Sequence, residues 1–588
     1  MSKNSEKSKI PGYFIESTAP TDVDEDKGLP NDLIKISEIP SFQSDCQGEI
    51  TIKQIVAELL ESQNPELIIS VHGYNNSLTS TQQRYQQIHE WINKDENISQ
   101  RAGTVFLGYR WPSEDAGKFH WIKAFNALPT LPSWIFSIGL AASVILGFLV
   151  FAVYPYWIFI ALLILGVVSS TVILTLIALR LSVYFRDSYR ATYFGVPDLV
   201  ELIRQLDQGA FDKAGISEEN WKLGSELQES RKEDDRKRIK LTFIGHSLGC
   251  LVVTNAIRII SDVFDQKSIG GLGILSGCDS KKLPDEKVGR VFSLARLVLL
   301  APDIPVETVI PRRANFLRSS LRRFEEAYIF SNEGDMVLRI ASTIANYFSF
   351  PASDRINGYR LGNLTVKHFP KKEETVGSDP KPGIVNLRTQ GGVGDTSYQS
   401  ETMTGSYTFE APYDHLEIRS SNREHRSLNE IRSLEEIAGK PVANLITYFD
   451  CTDYLDCTND EDKEQGVLSD AKKRPALLMK DYIPLTLATF MRKKNVHGGY
   501  FDGKFSQRAI YQLAFLGFKG FLNTFPLSEQ TPTQHLDEDS HEIAEKVLLE
   551  KKLGQFHQMC CEKQIQVVLA PERYSVDILK EKRNRFEY

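Results

Sequence analysis

Gly245-His246-Ser247-Leu248-Gly249 is the stretch of this sequence whose residue types and spacing could do covalent chemistry. In a G-x-S-x-G pattern the serine occupies a sharp, strained strand-to-helix turn that holds its hydroxyl at the top of a sheet. Glycines on either side remove side chains that would clash in such a turn. The flanks have the right character: Leu241–Ile244 reads as a strand and Cys250–Ile260 as a helix. The competing interpretation is a glycine-rich helix start capped by a serine. A serine hydroxyl is a weak nucleophile alone, so the pattern calls for a general base and an acid that orients it.

In an elbow of this kind the order along the chain is serine, acid, then histidine. Two acids follow strand-like runs. Asp335 ends Ser331-Asn332-Glu333-Gly334-Asp335 after Glu326–Phe330, and Asp303 ends Ala301-Pro302-Asp303 after Leu297–Leu300. With Leu241–Ile244 counted as the fifth strand, Asp303 follows the sixth and Asp335 the seventh, the usual acid position. Asp335 is therefore favoured, with Asp303 as the alternative. Either could instead be a turn-forming or capping aspartate. For the base, only His497, His535, His541 and His557 follow the last predicted strand, Leu445–Phe449. His497 stands before Gly498-Gly499, whose small size lets the backbone bring an imidazole close to the serine. His415 is the alternative base, although it precedes that strand. The developing oxyanion needs two backbone N–H donors. One is expected from Leu248, and the other from Tyr74 or Asn75 in the turn His72-Gly73-Tyr74-Asn75. His72 itself reads as a hydrogen-bonding neighbour of that turn.

Taken together and in order, Val71-His72-Gly73-Tyr74-Asn75, the Gly245–Gly249 elbow, Leu300–Asp303, Ser331–Asp335 and His497–Phe501 resemble the poorly characterised bacterial α/β-hydrolases with a VHGYN or VHGFN oxyanion motif. Asp187-Ser188-Tyr189-Arg190-Ala191 resembles that family's segment before the nucleophile strand. The resemblance covers about half of the chain, within 50–120, 183–350 and 440–520. It implies carboxyl-ester hydrolysis through an acyl-enzyme, without cofactor or metal. It does not imply a substrate, because this fold hosts many chemistries.

The elements that must position these residues alternate between strand and helix. That alternation predicts an α/β-hydrolase fold, a mostly parallel sheet with helices on both faces. The uninterrupted apolar runs Leu67–Val71 and Leu297–Leu300 fit strands buried on both sides. Tyr13–Glu16 and Leu33–Ile36 suggest edge strands. The chain divides into a polar N-terminal segment (1–45), three parts of the hydrolase domain (46–123, 183–350 and 441–525), a hairpin (124–182), an insertion or lid (351–440) and a C-terminal extension (526–588).

The hairpin is the largest departure from the family pattern. No charged residue occurs from Ala124 to Leu179. That run is long enough for two helices of the about 20 residues a bilayer core requires. The spans are expected at 133–153 and 157–181, with Tyr154-Pro155-Tyr156 between them. Lys118 and Lys123 precede the first span, and Arg180, Arg186 and Arg190 follow the second. The positive-inside rule then puts both termini and the catalytic domain on the cytoplasmic side of an integral membrane protein. Loops after the strands frame the active-site mouth, so the hairpin directs the expectation toward membrane lipids as partners and a lipid or acylated amphiphile as substrate. A buried hairpin in a large core is the competing interpretation.

Composition removes other classes. The 588 residues carry 69 basic and 76 acidic side chains, a net charge of −7, which disfavours a nucleic-acid partner. Seven cysteines, none in a C-x-x-C pair, support neither a zinc ribbon nor a disulfide framework. No P-loop or H-E-x-x-H occurs, and Gly271-Leu272-Gly273 lacks the third glycine of a dinucleotide fingerprint. Asp460-Glu461-Asp462 reads as a solvated loop. Two readings stay open beside the hydrolase: a catalytically silent membrane scaffold or assembly protein on the same fold, and an acyltransferase using the same triad.

Overall fold

The computed structural model describes residues 10–19, 34–39, 51–62, 64–114, 130–153, 157–213, 238–264, 287–306, 321, 323–342, 359–366, 382–389, 407–419, 425–428, 442–457, 465–468, 484–485, 487–488, 494–526 and 538–570. The charged stretch before Arg238, Gly271-Leu272-Gly273, Asp460-Glu461-Asp462, His535, the Tyr154–Tyr156 tip, and Lys118 and Lys123 lie outside them.

Runs of β-branched and apolar residues without polar alternation become strands covered on both faces. Every residue is buried in β3 (Glu66–Val71) and β4 (Thr104–Arg110). Nearly every residue is buried in β5 (Ile239–His246), β7 (Phe292–Leu300) and β8 (Glu326–Ser331). These five are parallel neighbours in the order β8-β7-β5-β3-β4. On one side β4 pairs in parallel with β1 (Gly12–Ser17), which pairs antiparallel with β2 (Ile34–Glu38). Only β2 is therefore an edge strand there; β1, expected at an edge, is flanked on both sides. The short β6 (Lys287–Val288) adds to β7.

Successive side chains of a strand point to opposite faces, and the core divides accordingly. Leu67, Ile69, Leu241 and Phe243 pack under α1 (Ile52–Leu60), α5 (Val196–Lys213) and α6 (Leu248–Phe264). Ile68, Phe106, Ile244 and Val298 face α2 (Leu78–Lys94) and α7 (Lys504–Asn523). This is the helix-on-both-faces layering of an α/β fold.

Beyond β8 the sheet takes in the run Ile565–Leu569, which reads as a strand in the sequence, but in an order the sequence does not suggest. β10 (Thr447–Asp450) pairs in parallel with β8, but it is not the last strand. β11 (Gln566–Val568), preceded by α8 (Glu538–Glu562), pairs antiparallel with β10 and parallel with β9 (Gly383–Ile384). The stretch read as an insertion or lid thus lends a strand to the main sheet. It also forms a three-stranded sheet (Thr365–Val366, Leu416–Arg419, His425–Ser427) and a two-stranded one (Leu387–Thr389, Tyr407–Phe409). Its Leu364, Val366, Leu416, Ile418 and Leu428 share the main core.

The uncharged run forms two helices that pack along each other, α3 (Thr130–Val153) and α4 (Trp157–Arg190). At one crossing a Cβ on Gly139 would lie 2.6 Å from Thr171 Oγ1, so the missing side chain permits the approach. Phe148 is 74% exposed and Trp134 67%, and Phe151, Trp157 and Leu165 are also exposed. Counted over the described residues, no helix is long and apolar enough to cross a membrane, so the two spans expected at 133–153 and 157–181 are not supported by these helices. The second helix runs nine residues past the expected end at Leu181, to Arg190. Nothing in Ser182–Arg190 breaks a helix, and its Tyr184, Arg186, Asp187 and Arg190 side chains find partners on the sheet's loops. A π-helical turn, Ala191–Gly195, joins α4 to α5.

Candidate active site

The turn between β5 and α6 is a single residue. Ser247 takes φ 55, the left-handed region, which costs a non-glycine residue about 1–3 kcal/mol. Its backbone is fully engaged: Ser247 N–H donates to Leu300 O at 2.9 Å, and Ser247 O accepts from Cys250 N–H at 3.0 Å and Asp303 N–H at 3.2 Å. The glycines of the motif are places where backbone meets backbone. A Cβ on Gly245 would lie 3.0 Å from Cys250 Cα, and one on Gly249 would lie 2.6 Å from the carbonyl oxygen of Val71. Gly73 is pressed against the turn from β3, since a Cβ there would come 2.9 Å from Ser247 Cβ.

Asp335 follows β8 and His497 follows β10, and the fold brings them together. His497 Nδ1 is 2.6 Å from Asp335 Oδ2. The other carboxylate oxygen accepts the N–H groups of Val337 at 3.0 Å and Leu338 at 3.2 Å, so this fully buried acid is held from two sides. Two side chains clamp the backbone of the histidine loop. Asn332 Nδ2 donates to Val496 O at 3.0 Å, and His246 Nε2–H donates to His497 O at 3.0 Å. The rings of His246 and His497 are 5.0 Å apart. Ser247 Oγ and His497 Nε2 are both buried and have no hydrogen-bond partner among the described residues. Nucleophile and base are commonly this loose without substrate.

The alternative residues are committed elsewhere. Asp303 accepts from Tyr184 Oη at 2.9 Å and pairs with Arg360 Nε at 3.1 Å, both buried. His415 Nε2 lies 2.9 Å from Glu410 Oε2. Neither is available as the acid or base partner of Ser247. The oxyanion turn requires a correction as well. Asn75 takes φ 57, and its N–H donates to Asp187 Oδ2 at 2.9 Å, so that amide is not free for an oxyanion. Leu248 opens α6 beside the serine, and Tyr74 sits with its ring 6.2 Å from that of His497.

Four contributors were not singled out from sequence: His246, Asn332, Tyr184 and Arg360. His246 and Asn332 lie within the two motifs already noted, at positions where any residue type fits the pattern. Tyr184 and Arg360 have no local signal.

Two histidines beside the site are held neutral. His72 donates from Nδ1 to Gly73 O at 2.7 Å and stacks on Trp111, whose indole N–H returns to His72 O at 2.8 Å. Burial, with a smaller contribution from the Arg110 charge, pushes His72 down to about 3. Burial first, then charge at His497, holds His246 well below its usual range. An unfolded chain protonates such rings as pH falls through about 6.5, whereas the native state resists. For His72, stability is therefore undiminished above pH 6.5 and declines between there and about pH 3, by about 1.4 kcal/mol per pH unit, and His246 acts in the same direction. We expect the urea midpoint to drop between pH 7 and pH 5, and to drop less in His72→Asn. Equal slopes in the two proteins would remove burial of His72 as a cause.

Residues 194–273 match the family model described as "Putative serine esterase (DUF676)". The match spans α5, β5, the elbow and α6, and supports an α/β-hydrolase-like serine esterase; it stops short of Asp335 and His497. No curated protein and no solved structure matches the chain.

Proposed function

We propose that this chain is a membrane-anchored serine hydrolase that cleaves a carboxylic ester of a lipid or acylated amphiphile through an acyl-enzyme on Ser247. One observation carries the reading: a serine strained at φ 55 on a strand-to-helix turn shares its loop cluster with a His497–Asp335 pair at 2.6 Å. Ser247 Oγ attacks the acyl carbonyl carbon while His497 Nε2 takes its proton. The imidazolium is stabilised by Asp335, which also fixes Nδ1 as the protonated nitrogen. His497 then returns the proton to the leaving alcohol, and water repeats the sequence to release the acid. The oxyanion is held by the N–H of Leu248, which opens a helix and has no acceptor within it, and by the N–H of Tyr74.

The membrane part of the proposal rests on the hairpin. The absence of charge from Ala124 to Leu179 and the outward-facing Trp134, Phe148, Phe151 and Trp157 suit a bilayer better than water. With Arg180, Arg186 and Arg190 flanking it, the hydrolase domain lies on the cytoplasmic side and meets its substrate at the lipid surface.

A fluorophosphonate probe tests the chemistry on detergent-solubilised full-length protein. Wild type is expected to label and Ser247→Ala to stay unlabelled. Absence of wild-type labelling, or labelling that survives the substitution, overturns the acyl-enzyme. Carbonate extraction of membranes tests the anchor, with retention in the pellet expected and release to the supernatant against it.

A further inference from the structure

α4 does not stop where the apolar run stops. It continues unbroken from the hairpin to Arg190 and delivers two side chains, three residues apart and so on one helical face, to the catalytic loops. Asp187 is the more telling. It is completely buried, and its Oδ2 accepts from the Asn75 N–H and from Ser113 Oγ–H, each at 2.9 Å. Ser113 Oγ in turn accepts the N–H of Asn76 at 3.1 Å. One carboxylate thus holds two consecutive amides of the oxyanion turn, the first directly and the second through a hydroxyl. Its other oxygen is taken by Arg186 Nε at 3.1 Å and Nη2 at 3.0 Å.

The site around it is built to keep that carboxylate in place. Glu114 bridges Arg186 at 3.3 Å and Arg190 at 3.1 Å, which anchors the guanidinium that faces Asp187. Burial pushes the Asp187 carboxyl up, and the Arg186 charge and the donors at Asn75 and Ser113 oppose this. One turn earlier, Tyr184 Oη–H donates to Asp303, and its ring stands edge-on to that of Tyr74 at 5.9 Å. Asn75 is in the left-handed region, at φ 57, where the surroundings must hold a non-glycine residue. The peptide that carries the Tyr74 N–H is the next one back.

We infer that Asp187 is a positioning residue for the oxyanion hole: by fixing the Asn75 and Asn76 amides it aims the neighbouring Tyr74 N–H at the reacting carbonyl. This rests on the hydrolase reading given above. Asp187 touches neither substrate nor nucleophile. Its contribution is to a donor whose interaction strengthens as the carbonyl oxygen becomes an oxyanion, so its loss falls on kcat and not on KM.

The test uses full-length protein in detergent, a soluble p-nitrophenyl short-chain ester, and a trifluoromethyl ketone. The ketone adds Ser247 Oγ to its carbonyl carbon, passes the serine proton to His497 and leaves its oxygen as an oxyanion in the hole. In Asp187→Asn the amide cannot accept from both the turn and Arg186. We expect kcat to fall about 10- to 100-fold with KM within about twofold, and ketone affinity to weaken by the same factor as kcat/KM. Ser113→Ala, a milder change, is expected to lower kcat a few-fold with the same signature. A folded Asp187→Asn with unchanged kcat and ketone affinity overturns the inference, as does a loss confined to KM. If Asp187→Asn does not fold, unchanged kcat in Ser113→Ala overturns it. A wild type that neither labels with fluorophosphonate nor turns over the ester sinks the hydrolase reading and this inference with it, an outcome distinct from the others.

Discussion

His497→Ala is expected to lower kcat on a soluble ester by about 10⁶-fold, close to the effect of removing the nucleophile. Nucleophile and base act as one unit, so losing either leaves only what the oxyanion donors and substrate binding supply. The fold should tolerate the change. His497 is held mainly through backbone: its carbonyl accepts from His246, and the preceding carbonyl accepts from Asn332. Only the imidazole is lost. Its Nε2 has no partner among the described residues, and its Nδ1 contacts Asp335 alone. A melting temperature within a few degrees of wild type should therefore accompany the loss of turnover. Retention of a tenth or more of the wild-type rate would mean that a different group takes the serine proton.

Asp335→Asn should cost about 10⁴-fold in kcat, for a different reason. The carboxylate gives one oxygen to His497 Nδ1–H and the other to the N–H groups of Val337 and Leu338. Asparagine can keep its oxygen on the two amides, but its NH₂ then faces the imidazole. Nδ1 must become the acceptor, and the ring proton moves to Nε2, where it blocks abstraction from Ser247. Rapid-quench measurement of the acylation step should carry the whole loss. Asp303→Asn makes the contrast. It breaks a buried pair with Arg360 and a bond from Tyr184, so it should lower stability while leaving kcat within about tenfold of wild type. A larger effect at Asp303 than at Asp335 would reverse the assignment of the acid.

The parts of this site that were legible in the sequence are those fixed by local backbone geometry or chain order. A strained serine between two glycines needs its neighbours within a few residues, so Gly245–Gly249 announces itself. The candidate acid and base, Asp335 and His497, follow from counting strands, because each strand end in a parallel sheet opens on the same rim. What stayed hidden depends on which way a group faces. Nothing local says that the Asn75 N–H turns toward α4 and away from the nucleophile, because its partner, Asp187, lies beyond the whole hairpin. The late strand is legible, since Ile565–Leu569 reads as one, but its place is not: β11 pairs with segments from two distant parts of the chain. Asp303 was a reasonable alternative by position; what removes it is a salt bridge with Arg360, a residue with no pattern to mark it.

That late strand has a consequence for how the protein comes into being. β11 sits between β9 and β10, both translated well before it, so the far side of the sheet has a gap until residue 568 leaves the ribosome. Until then β10 offers a bare row of amides and carbonyls next to Phe449, a surface suited to pairing with the wrong chain. The elbow strand and its neighbours on the other side need nothing from that region and can form earlier. Nascent chains stalled short of β11 should therefore already hold Ser247 in its turn while still needing a chaperone to shield the unfinished margin.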